Sequence, residues 1–184
     1  MGKPLHALLL VLCLVTSLTT LAAGVRVDSA SVTADEQGFR LALASTFTLD
    51  EDITEALDNG ISLTFEIETV LQRQRNLWFD AHVTTSVHRF SLSRHALSER
   101  YTLQQNDGSQ ARTFKTIDEA LAALGEWEER LPCEHCRDFP QSRYVGRTRV
   151  RLLTDQLPAP MRPLVWISPG WWVSSGWQRW EVRP

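Results

Sequence analysis

The sequence predicts a mainly β protein, an antiparallel β-sandwich or strongly bent sheet with two short helices packed on it. Three observations carry this. Ile61, Leu63, Phe65 and Ile67 alternate with Ser62, Thr64, Glu66 and Glu68, the two-residue period of a strand with one buried face. Further β-prone runs flank turn-forming clusters at Asp35–Gly38 and Asn106–Gly108, as hairpins require. Helical spacing of apolar residues is confined to two places.

The chain has 184 residues, 43% hydrophobic and 22% charged, which fits one globular domain rather than a disordered chain. A net charge of -3 gives no general attraction to nucleic acid. Lys3 precedes an apolar run from Ala7 to Ala23 that closes on small residues. This reads as a signal peptide over residues 1–23, with a single β domain over 24–184. The alternative is an uncleaved anchor, which would be the only membrane contact. The expected location is periplasmic or secreted. Cys13 follows Leu12, where lipidation would need a small residue.

Val25 to Ala34 and Phe39 to Phe47 predict a first hairpin. Asp50 and Thr48 compete as N-cap of a short helix whose apolar stripe is Ile53, Ala56 and Leu57, and Gly60 suits the left-handed position after its end. The central strand follows. On its return strand Phe79, Ala81, Val83 and Val87 are expected to face the core, with Asp80, His82, Thr84, Ser86 and His88 towards water. That register places Glu68 opposite His82 or Asp80. Ser93 to Leu97 reads as a loop, Arg100 to Gln105 as a strand, and residues to Phe114 as its return. Thr116 and Glu119 form a second capping box. Ile117, Leu121, Leu124, Trp127 and Leu131 then predict a helix running to Leu131, with Pro132 beyond it. Cys133 to Ser142 is a polar loop and Arg143 to Leu153 a strand. Leu157 to Pro163 is too rich in Pro for a central strand. Trp166 to Val182 is aromatic and β-prone, with a bend at Pro169-Gly170 and a bulge at Gly176.

Several features could carry chemistry. Cys133 and Cys136, in Cys-Glu-His-Cys, are expected to form a disulfide in an oxidising compartment. A redox role would use His135 to lower a thiol pKa, but the pair follows a helix C-terminus, where the dipole disfavours a thiolate. Glu66, Glu68, Asp80, His82 and His88 could form a metal or acid–base site. However, His82 and His88 stand about 20 Å apart by strand rise, and a cross-strand Glu68–His82 pair is the simpler reading. Arg143, Arg147, Arg149 and Arg151 share one face of a strand. They could grip phosphate or carboxylate, or form a solvated or neutralised edge. Trp177 and Trp180, in the Trp-rich C-terminal segment, are candidate partner contacts or core. No P-loop, dinucleotide fingerprint, nucleophile elbow or His-Glu-x-x-His occurs, and no metal or cofactor is predicted.

Glu55-Ala56-Leu57, Gly60, Leu63, Phe65, Glu68, Arg75 and Trp78, with Arg100-Tyr101, the Phe114 to Gly125 segment and the Trp-rich end, resemble domain-of-unknown-function family 4390 of exported bacterial proteins. The resemblance spans nearly all of the mature chain. It implies an envelope protein of Gram-negative bacteria, brings no assigned chemistry, and does not include the Cys pair. The expected function is a non-enzymatic binding or assembly factor contacting an envelope protein. The alternatives are a periplasmic thiol–disulfide protein and a binder of glycan, lipid headgroup or another anionic envelope component.

Overall fold

The computed structural model describes residues 24–35, 38–75, 79–131 and 143–182. The apolar leader, Trp78 and the Cys133–Cys136 pair lie outside the described residues. The first hairpin joins β1 (Gly24–Asp35) to β2 (Gly38–Thr48), in register from Asp35↔Gly38 to Gly24↔Thr48. Helix α1 (Glu51–Asp58) is capped by Asp50, whose Oδ1 accepts from the Glu51 amide at 2.8 Å. It ends before Gly60, at φ +85°, a conformation that a Cβ would strain. Then come β3 (Leu63–Arg73), β4 (Ala81–His95), β5 (Arg100–Gln105) and β6 (Arg112–Phe114). Helix α2 (Ile117–Gly125) runs directly into β7 (Glu126–Leu131). The chain closes with β8 (Tyr144–Leu152), α3 (Arg162–Ile167) and β9 (Gln178–Glu181).

All pairings among the described strands are antiparallel. They form a three-stranded sheet, β1-β2-β7, and a six-stranded sheet, β6-β5-β4-β3-β8-β9. Between them lie two apolar clusters. The larger contains Leu43, Ile53, Leu57, Leu63, Phe65, Ile67, Leu92, Leu124, Val150 and Trp171. The smaller contains Val32, Phe39, Leu41, Leu71, Leu131, Tyr144 and Trp180. Phe47 meets Phe65 edge to face across the sheets at 5.4 Å. Among the described residues, every member of both cores lies between Val25 and Val182.

Four sequence expectations are corrected. Glu68 faces Val87, not His82 or Asp80, because the pairing runs on to Arg73↔Ala81, into the stretch expected to turn, and a bulge between Leu71 and Gln72 shifts the register by one residue more. The one-residue shift turns Val87 outwards and Ser86 and His88 inwards, and Phe79, which precedes β4, is exposed. Residues 93–95 belong to β4 rather than to a loop. Helix α2 stops at Gly125 instead of Leu131. The backbone carbonyl of Ser45 occupies the place of a Gly125 Cβ, so the helix end is pressed against β2. From there the chain pairs with β2, Leu43↔Trp127 and Phe39↔Leu131. Trp127 and Leu131 are four residues apart and share a face in helix and strand alike, so their spacing did not discriminate. Finally, the segment from Trp166 is largely non-strand: α3 takes in Trp166 and Ile167, and a tight helical turn spans Pro169–Trp171. Pro163 in the first turn of α3 fits there because its fixed φ suits a helix start.

Candidate binding face

The face of the six-stranded sheet turned away from the cores carries the predicted arginines. On β3 the odd-numbered residues from Leu63 to Leu71 face inwards, so Glu66 and Glu68 face outwards. Cross-strand pairing sets Arg89 and Arg151 on either side of Glu66, and Arg149 beside Glu68. Arg89 Nε donates to Glu66 Oε2 at 2.9 Å, and Arg151 donates to Oε1 through Nε at 2.9 Å and Nη2 at 2.6 Å. The Glu66 side chain is only 3% exposed. Burial alone would push its carboxyl up, but the hydrogen bonds from Arg151 and Arg89 outweigh it and hold the carboxyl below its ordinary value. Arg149 Nη2 donates to Glu68 Oε2 at 2.6 Å.

The Arg row therefore divides. Arg149 and Arg151 are held by carboxylates that the sequence reading had placed on a wet hairpin face. Arg147 is exposed and pairs with no carboxylate among the described residues; it lies 5.5 Å from the Trp177 ring centroid, with Arg149 at 4.6 Å. Both guanidiniums therefore brace one indole. Arg179, which the sequence reading missed, sits directly opposite Arg147 on β9. Like charges in cross-strand register repel. Finding Arg179 required the β8–β9 register, and no local sequence signal gives it. Arg143 precedes β8, and its carbonyl accepts from the Gln74 amide at 2.8 Å.

The two predicted tryptophans also divide. Trp177 is 40% exposed on this face, whereas Trp180 is buried at 7%. Trp180 packs over Gly146, where a Cβ would meet its ring, and its Nε1 donates to Thr148 Oγ1 at 3.0 Å. Trp180 is thus a core residue rather than a partner contact, because Trp180 and Gly146 point to the inner side of their strands.

The predicted polar hairpin site is not assembled. His82 Nε2 bonds Thr85 Oγ1 at 2.9 Å. His88 lies between the sheets against Trp127, with ring centroids 4.8 Å apart, and its Nε2 meets Glu129 Oε2 at 2.6 Å. Ser86 Oγ donates to that oxygen at 2.7 Å. Ser, His and a carboxylate are therefore together, yet hydroxyl and carboxylate both sit on Nε2, while Gln105 Nε2 meets Nδ1 at 3.1 Å. A catalytic relay needs them on opposite nitrogens, so this cluster ties β4, β5 and β7 together. Glu129 was invisible as its member because residues 126–131 read as helix. Among the described residues no group of three or more His, Cys, Asp or Glu side chains converges for a metal, and no helix is long and apolar enough to cross a membrane.

The chain belongs to the family described as a domain of unknown function, DUF4390, which it matches over residues 22–181. No curated protein and no solved structure matches it.

Proposed function

We propose that this DUF4390 protein is a non-enzymatic binding or assembly factor of the bacterial envelope, exported by its apolar leader. It captures a protein partner on the outer face at Arg147, Arg179 and Trp177. The observation that carries the reading is the guanidinium pair Arg147↔Arg179 in direct cross-strand register, beside an indole that is 40% exposed. The arrangement offers a planar cationic grip for a carboxylate next to an aromatic anchor of the kind that dominates interfaces. Around it, Arg89, Arg147, Arg149, Arg151 and Arg179 outnumber Glu66, Glu68 and Glu181, so the face favours an acidic partner surface.

The test follows from the division of the arginines. Replacing Arg149 or Arg151 would strand a buried or half-buried carboxylate and confound binding with folding. Arg147→Ala with Arg179→Ala removes only exposed side chains. A photo-crosslinker at position 177 captures the partner in cells. The double variant is expected to lower capture by more than about tenfold, the scale of a lost interface anchor, with an unchanged circular dichroism spectrum. Undiminished capture rejects the site.

A further inference from the structure

We infer that the end of the molecule carrying Trp166, Ile167 and Trp172 seats on the interface of a lipid bilayer. The segment from α3 onwards is two-sided. Val165, Trp171 and Val173 are 6%, 2% and 2% exposed and anchor it in the larger core, whereas Trp166, Ile167 and Trp172 are 81%, 75% and 68% exposed. Three large apolar side chains held outwards along one short stretch form a patch rather than scattered surface residues. One of the indoles is also tied back to the fold. Trp172 Nε1 donates to the Val165 carbonyl at 3.1 Å, and the two indoles border a crevice of about 250 Å³ together with Val165, Thr154, Asp155 and Arg162. Indoles in this setting suit the headgroup boundary, where one end of the ring system is apolar and the other wet.

The occupant follows from where the apolar leader joins the fold. The run to Ala23 passes into β1 at Gly24 without a polar spacer. Gly24 pairs with Thr48. Two residues later, Asp50 packs against Gly170, and Ser168 Oγ donates to Asp52 Oδ2 at 3.4 Å. Counting Cα steps across these contacts, Gly24 and Gly170 are within about 20 Å of each other. Residues 168 and 170 lie between Ile167 and Trp172, so the exit of the leader and the aromatic patch share one end of the domain. A membrane holding or threading the leader therefore meets the patch. The charges nearby argue against a purely electrostatic attachment, since Asp50, Glu51, Asp52 and Asp155 accompany Arg162. Attachment is by aromatic and apolar insertion into the interface, and it is independent of the partner site at Arg147 and Arg179.

Residues 24–184 would be incubated with phosphatidylcholine–phosphatidylethanolamine vesicles, with and without brominated acyl chains, in low and high salt. The chain is expected to co-sediment at both salt concentrations and to lose tryptophan fluorescence to the bromines. Trp166→Ala with Trp172→Ala should lower partitioning by about tenfold or more, because the inserted aromatic area carries the attachment, while leaving the unfolding midpoint unchanged. Arg147→Ala with Arg179→Ala should bind vesicles as the parent chain does. Absence of vesicle binding overturns the inference, as does binding that survives loss of both indoles. A dimer in sedimentation velocity that the double indole variant abolishes, without vesicle binding, assigns the patch to a second copy and overturns it too.

Discussion

A methyl group on Gly146 would have to occupy the space of the Trp180 ring. The close approach lets an indole lie flat on β8 and reach Thr148, itself bonded to Thr69 Oγ1 at 3.2 Å. Gly146→Ala is expected to cost about 1–3 kcal/mol, the range for overpacking a tight core, read from the urea midpoint. Adding Trp180→Leu should recover part of that loss. Glu66 gives a prediction of opposite character. Its carboxyl is depressed in the folded state, so the unfolded chain takes up its proton first as pH falls. The stability it contributes is full above the ordinary glutamate value of about 4.3 and is lost as pH drops through the lower folded value. Glu66→Gln should lower stability at neutral pH by about 2 kcal/mol, less than a fully buried pair because both arginines reach solvent. It should also flatten the acid limb of a stability–pH curve. The alternation of Glu66 with its apolar neighbours was legible in the sequence. Its burial was not, because that depends on guanidiniums supplied by strands 23 and 85 residues away.

Local chemistry announced the elements well where a cap or turn residue was present. Thr116 accepts from the Glu119 amide at 3.2 Å, as the capping-box spacing predicts, and Glu119 Oε2 reaches back to the Lys115 amide at 3.0 Å, one residue before the amide such a box uses. Thr116→Ala should destabilise by about 1 kcal/mol in the same urea titration. A larger loss would mean that α2 also carries the β2–β7 junction. Legibility failed where two periods coincide, as at Trp127 and Leu131. It failed again at the central hairpin, where the bulge at Leu71–Gln72 reversed the facing of the return strand. Neither a bulge nor a neighbour's paired edge is written in a local pattern. The fold class, the first hairpin, α1 and β5 followed from the sequence, whereas the binding face needed the order β4-β3-β8-β9. Of the predicted contacts, Arg147 and Trp177 remain on that face without a carboxylate among the described residues, Arg149 and Arg151 are committed to glutamates, and Trp180 is core.

At the scale of the whole molecule, neither sheet is finished without the other. Phe47 of the smaller sheet packs on Phe65 of the larger, and Glu129 of β7 is held by Ser86 and His88 of β4. Urea unfolding followed by tryptophan fluorescence and by far-ultraviolet circular dichroism should therefore give coincident transitions. Separated midpoints would show that the sheets unfold independently. The β2–β7 pairing has a consequence in time. The β1–β2 hairpin is made early, yet the strand that covers its inner edge comes about 80 residues later in the chain, and such distant partners slow folding. Until residues 126–131 emerge, an N-terminus-first chain presents Phe39 and Leu41 beside an unpaired strand edge. A stalled or truncated chain ending before Glu126 is thus an aggregation hazard, and it would need shielding by a chaperone for as long as that wait lasts.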